Sequence, residues 1–149
     1  MNLKIGDPAP PFEANDQDGK PVRLADFAGK KLVLYFYPKD DTPGCTAEAC
    51  DLRDNYHRLM AQGYAVLGVS VDDEKSHRKF IKKYDLPFPL LADTDQKIVN
   101  DYGIWVEKNM YGRTYMGTAR STFLIDENGL ISDIIQKVDT KNHTSQILK

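Results

Sequence analysis

The sequence predicts an α/β fold: a central mixed β-sheet flanked by helices, in one domain over residues 1–149. Three observations carry that reading. Leu32 to Tyr37, Tyr64 to Val71 and Ser121 to Asp126 are almost continuously apolar, the pattern of strands buried on both faces. The stretches after the first two runs carry apolar residues at helical spacing. Glu127-Asn128-Gly129 is a turn signal that folds the third run back onto Leu130 to Val138 as an antiparallel hairpin. Strand, helix, strand, helix and hairpin is an α/β order with a mixed sheet.

The elements follow in order. Pro8, Pro10, Pro11 and Pro21 forbid a helix through residues 1–30. Asp16-Gln17-Asp18-Gly19 signals a hairpin turn, Val22 to Leu24 a short edge strand, and Leu24 to Phe27 a single helical turn stopped by Gly29. The central strand, Leu32 to Tyr37, lies between Lys30-Lys31 and Pro38. A helix is expected from about 43 to 61, with Ala49, Leu52, Tyr56, Leu59 and Met60 on its apolar face and Gly63 just past its end. After the second strand, Asp72 or Asp73 caps a helix through Lys83, with Phe80, Ile81 and Tyr84 apolar. Asp95 to Tyr102 reads as a short helix stopped by Gly103, and Thr140 to Lys149 as a last helix capped by Thr140. Residues 104–119 read as one long irregular loop, rich in apolar side chains (Trp105, Met110, Tyr111, Tyr115, Met116), and loops of that length are often functional.

Composition excludes several classes. Twenty Lys+Arg against 22 Asp+Glu leave a net charge of −2, without the basic excess of a nucleic-acid binder. The longest apolar run is far below the ~20 residues needed to span a membrane. Met1 to Gly6 lacks the basic-then-apolar build of a signal peptide, so a cytoplasmic location is expected. Two cysteines do not make a disulfide scaffold, and in a reducing compartment such a pair is more often catalytic or metal-binding.

Their spacing is informative. Pro38 to Cys45 runs from a strand end into a helix start, with Thr42 as N-cap and Pro43 as first helical residue. Cys45 then sits in the first turn, where free N–H groups and the helix dipole favour a thiolate. Cys50 lies five residues on. In an intact helix the two Cα atoms are roughly 8.6 Å apart, beyond the about 4.4–6.8 Å of a disulfide. Either the pair never bonds or the first turns unwind when it does. Two buried, inert cysteines remain the bland alternative. A structural zinc site would want four N/S ligands, whereas C-x4-C comes here with His57, His77 and His143 standing singly, each reading as a surface or packing residue. A Cys–His hydrolase is unfavourable through His57, twelve residues along the expected helix, and left open for His77 and His143. No Gly-rich phosphate motif is present.

Pro38, Thr42 and Cys45 in P-x-x-x-T-x-x-C, followed by Thr46-Ala47-Glu48-Ala49-Cys50, resemble the peroxiredoxins, and closely their bacterioferritin comigratory protein or Q-type branch. Gly6-Asp7-Pro8-Ala9-Pro10, Gly68-Val69-Ser70, Phe88 to Asp93 and Met116 to Phe123 extend the resemblance over nearly the whole chain. It implies a thioredoxin-like fold and a thiol peroxidase acting on hydrogen peroxide and alkyl hydroperoxides. Cys45 would be the peroxidatic cysteine, oxidised to a sulfenic acid. Cys50 would resolve it as an intrachain disulfide, and a thioredoxin-like reductant would recycle that bond. No cofactor or metal is implied, since sulfur is the redox centre. Arg120 would bring a fixed positive charge to Cys45, Thr42 a hydroxyl to the peroxide, and Pro38 a shield against water. Glu48 and Arg53 would buttress Arg120 or simply form a solvated face. Trp105 and Met110 would form an apolar wall near the site or only pack the loop. Family members of this type occur as monomers and dimers, and a monomer is expected here. A peroxide-sensing redox switch and a general thiol–disulfide oxidoreductase are the competing functions.

Overall fold

The computed structural model describes residues 2–149. Five strands form the central sheet: β3 (Lys31–Phe36), β4 (Tyr64–Ser70), β5 (Leu90–Ala92), β8 (Ser121–Ile125) and β9 (Ile131–Ile135), in the spatial order β5-β4-β3-β8-β9. β3 pairs with β4 in parallel and with β8 antiparallel, so the sheet is mixed about its central strand, as expected. The parallel pairs β3–β4 and β4–β5 are joined by helical crossovers, and β8–β9 by the Asp126–Gly129 turn. Two hairpins lie outside this sheet: β1 (Glu13–Asn15) with β2 (Pro21–Arg23), and β6 (Trp105–Met110) with β7 (Arg113–Thr118).

Strand periodicity builds two cores. Leu32, Leu34 and Phe36 point to one face, where Phe12, Leu67, Val69, Ile98, Tyr102 and Phe123 join them. Val33, Tyr35 and Tyr37 point to the other, against Ala49 and Leu52 of α1 (Pro43–Asp54), Leu59 of α2 (Tyr56–Ala61), Phe80 of α3 (Glu74–Tyr84) and Ile147 of α5 (His143–Ile147). The short helix α4 (Lys97–Asp101) lies on the first face. Gly68 is needed for close packing: a Cβ there would lie 2.6 Å from Leu90 and 2.8 Å from the Tyr35 ring. Among the described residues, no helix is long and apolar enough to cross a membrane.

Several expectations need correction. The single helix over 43–61 is two helices, broken at Asn55 (φ −112°, ψ 12°), whose side chain donates to the Asp51 carbonyl. Its polar amide competes with the helical hydrogen-bond ladder, a local effect that apolar spacing does not report. The last helix starts at His143 rather than Thr140, and Asn142 precedes it. Residues 104–119 are not irregular: Tyr111 (φ 53°) and Gly112 (φ 77°) make a tight turn between β6 and β7. Its tyrosine disguises a turn usually announced by Asn-Gly. The short strand β5 was also unforeseen, being only three residues long.

Candidate active site

The site forms where the carboxyl end of β3 meets the start of α1. Tyr37 ends the strand run, and its hydroxyl donates to Asp40 Oδ1 at 2.6 Å. Asp40 Oδ2 also accepts from Ser76 Oγ at 2.7 Å and His77 Nδ1 at 2.7 Å, while its backbone N–H donates to Asp72 at 2.8 Å. The other ring nitrogen of the fully buried His77 lies 2.8 Å from the Leu91 carbonyl. This cluster pins the 38–42 loop to α3 and β5. Asp40, Asp72 and His77 are close enough for one cation to reach an atom of each. The three donors already on Asp40 and the occupied His77 nitrogens make that set a closed hydrogen-bond network. Sequence reading missed it, because Asp40 and His77 lie 37 positions apart and neither shares a motif.

Beyond the loop, Thr42 stands at the N-cap position and Pro43 is the first helical residue, as the spacing predicted. The cap itself differs. The Thr42 hydroxyl donates to the Lys39 carbonyl at 2.8 Å instead of accepting from the helix, while the Thr42 carbonyl accepts from Thr46 N–H at 2.8 Å. Cys45 lies in the first turn and is 1% exposed.

Arg120, just before β8, reaches the sulfur: its Nη2 is 3.3 Å from Cys45 Sγ. Its Nη1 donates to Glu48 Oε1 at 2.7 Å. One planar guanidinium thus bridges two groups on one face of α1. Gly44 makes the approach possible, since a Cβ there would lie 3.2 Å from Nη2. An N–H donated to sulfur, with a fixed charge behind it, stabilises negative charge on that sulfur. Glu48 is fully buried, which makes it the buttress of Arg120 rather than part of a solvated face. Burial pushes its carboxyl up to about 7 even though Arg120 pulls the other way. Arg53 does not join this group; it donates to the Tyr84 carbonyl and pairs with Asp54.

Cys50 is half-buried two residues beyond Glu48, and burial raises its thiol pKa while Arg53 opposes the shift. Both cysteines are free and α1 is continuous between them. Trp105 packs against the core at the base of the β6–β7 hairpin, whereas Met110 is exposed at its tip, so the two do not form one wall. The hairpin instead sends Lys108 toward the site: its pKa is lowered by burial and then by Arg120, with Cys45 opposing. A further neighbour is His143, whose Nε2 is 3.4 Å from Glu48 Oε2. A lone histidine in a predicted terminal helix offered no signal for that placement.

The chain as a whole has similar counterparts among known proteins. Residues 5–134 match the model of the AhpC/TSA family. A putative peroxiredoxin bcp of Coxiella burnetii is 47% identical over 148 residues, covering 99% of this chain and 98% of that protein. Peroxiredoxin Bcp of Bacillus subtilis is 44% identical, covering 100% and 95%. Among solved structures, a cysteine-to-serine variant of Xylella fastidiosa PrxQ superposes with a TM-score of 0.93 at 32% identity, covering 99% of this chain and 94% of that one. The bacterioferritin comigratory protein of Xanthomonas campestris, studied for its alkyl peroxide reduction activity, gives 0.86 at 37% identity, covering 92% and 87%.

Proposed function

The chain belongs to the AhpC/TSA family, among the Bcp and PrxQ peroxiredoxins, and from that premise we propose that Cys45 attacks the peroxide and Cys50 resolves the product. The fold is thioredoxin-like and the activity is thiol-dependent peroxide reduction. The observation that carries the residue assignment is the Arg120 contact, 3.3 Å from a cysteine at a helix start.

In this reading the Cys45 sulfur takes the terminal oxygen of ROOH. The O–O bond breaks, the sulfur becomes a sulfenic acid, and the departing RO⁻ takes a proton to leave as ROH. Charge moves from sulfur onto oxygen along that line, and Arg120 holds donors beside it throughout. Because the Thr42 hydrogen is committed to Lys39, its oxygen is free to accept the peroxide's O–H. Pro38 excludes water from the same loop. Cys50 then attacks the sulfenic sulfur, expelling water and forming the disulfide. The wound helix holds Cys50 as a thiol; unwinding removes the burial that raises its pKa and brings it within bonding distance. Hydrogen peroxide and alkyl hydroperoxides are the substrates, a thioredoxin-like dithiol the reductant, and a cytoplasmic monomer of one domain, residues 1–149, the working form.

Two serine variants test this. Cys45→Ser should reduce peroxide consumption with thioredoxin and its reductase to background. Cys50→Ser should yield one sulfenic acid per chain but lose thioredoxin-dependent turnover. Near wild-type turnover in Cys45→Ser would overturn the assignment.

A further inference from the structure

Glu48 and His143 present a conflict that a single proton resolves. Both side chains are fully buried. Glu48 Oε1 is occupied by Arg120, but Oε2 has no hydrogen-bond partner and faces His143 Nε2 at 3.4 Å. The histidine's tautomer follows from its neighbours. Gln146 Nε2 donates to the Lys137 carbonyl at 2.9 Å and Gln146 Oε1 accepts from Asp139 N–H at 2.9 Å. That oxygen is therefore an acceptor, and His143 Nδ1 donates to it at 2.7 Å. In a neutral ring Nε2 then carries a single lone pair, which the Thr122 hydroxyl at 2.7 Å and Glu48 Oε2 at 3.4 Å both face. With no proton between them, Oε2 and Nε2 would turn lone pairs on each other in a site closed to solvent.

We propose that Glu48 and His143 share one proton behind Arg120 while α1 is wound, and that the chain releases it each time α1 unwinds to join Cys45 to Cys50. His143 is the positioning residue: it touches neither substrate nor sulfur and acts through Glu48. The proposal rests on the cysteine roles given above. The other ionisable groups bearing on the pair are Arg120, Asp51 on α1, and Asp139 ahead of α5, while the buried phenol of Tyr35 on β3 faces Glu48 and Cys45. Burial outweighs Arg120 in raising Glu48 and lowers His143, so the proton rests mainly on the carboxyl.

Glu48 lies between the two cysteines, so no disulfide between them leaves it in place. The resolving step is Cys45–SOH plus Cys50–SH giving the disulfide and water. Glu48 leaves Arg120 and His143 in that step and its proton passes to solvent. When a dithiol restores the two thiols, the helix rewinds and Glu48 takes a proton back. The sign is fixed: the wound state holds the extra proton between the carboxyl's ordinary 4.5 and about 7. Raising the pH across that window therefore favours the unwound disulfide form.

The test is the disulfide–dithiol equilibrium against reduced and oxidised dithiothreitol, followed from about pH 5 to 7. At a fixed dithiothreitol ratio, the reduced-to-oxidised ratio of the wild type should fall by up to about tenfold per pH unit relative to Glu48→Gln, equivalent to about 30 mV per unit. His143→Leu removes the acceptor for the proton and should move the upper end of the window to lower pH. A purely structural His143 would change the ratio by one factor at every pH. Infrared difference spectra of the wild type supply a readout independent of any variant. The carbonyl stretch of a protonated carboxyl should be present in the reduced protein near pH 6, vanish on oxidation, and be absent from Glu48→Gln. A disulfide that forms with equal slopes in wild type and Glu48→Gln, with no carboxyl band lost, overturns the shared proton alone. An unmoved window in His143→Leu overturns the role of His143. Failure of any Cys45–Cys50 bond to form after one equivalent of peroxide overturns the resolving role and the proton with it.

Discussion

At the scale of single residues, the site depends on how closely Arg120 can approach the α1 backbone. Gly44 is in ordinary helical conformation, so the missing Cβ rather than φ explains the glycine. In Gly44→Ala the new methyl would sit 3.2 Å from Nη2. Arg120 is held by Glu48 at 2.7 Å, so a shift of Nη2 away from the methyl falls mainly on its 3.3 Å contact to Sγ. Alanine also suits a helix better than glycine, by up to about 1 kcal/mol. We therefore expect Gly44→Ala to keep or raise the melting temperature while slowing single-turnover oxidation of Cys45 about tenfold; an unchanged rate would show that the Arg120 contact is dispensable. Cys45 and Thr42 were legible because they stand where a strand end meets a helix start, whereas Arg120 was legible only through the family resemblance. Gly44's packing role, Asp40, His77, Lys108 and His143 were not, since each acts through contacts between residues distant in sequence.

At the scale of elements, α1 is built to open from one end. Its first turn has no side-chain cap, since the Thr42 hydroxyl is turned to Lys39. Its far end is pinned. Asp51 accepts from Thr144 N–H at 2.7 Å and Thr144 Oγ1 at 2.8 Å, joining α1 to α5, and Arg53 ties it to the end of α3. The pin begins one residue after Cys50, so unwinding should stop there. Amide exchange should show residues 46–50 losing protection on oxidation while 51–54 stay protected. Asp51→Ala removes charge-assisted hydrogen bonds worth about 1.5–3 kcal/mol each and should let the loss spread through 54. Equal protection over 46–50 in both redox forms would refute the unwinding. The helix start was readable from Thr42-Pro43-Gly44, but the anchor was not, because it pairs residues 93 positions apart. The β6–β7 hairpin escaped for a different reason: its turn residues are Tyr111-Gly112.

At the scale of the whole molecule, the fold class was legible because the apolar runs of β3, β4 and β8 and the turn before β9 each report a local rule, and those rules agree. What periodicity could not report is that the helical face of this sheet encloses the Glu48 carboxyl and the His143 imidazole side by side. They have opposite linkage to global unfolding. Burial raises Glu48 from 4.5 to about 7, so its contribution to stability falls as pH rises through that window, by about 3 kcal/mol when complete. Burial lowers His143 below 6.5, so its contribution falls as pH drops below that value. Between the ordinary values of 4.5 and 6.5 the unfolded chain holds one proton, on histidine; the folded chain keeps one on the carboxyl, and burial disfavours a second on histidine. The two slopes therefore oppose each other in the wild type. Glu48→Gln leaves only the histidine, so its stability should rise with pH across that range relative to wild type. His143→Leu leaves only the carboxyl, so its stability should decline with pH. Urea denaturation at several pH values measures both differences. Parallel curves for all three proteins would mean that neither buried group changes its protonation on folding. Local unwinding differs from this balance because His143 stays on α5, held by Gln146 and Thr122, while Glu48 alone reaches solvent. The two slopes thus offset each other in global unfolding and not in the redox step, which separates the two processes experimentally.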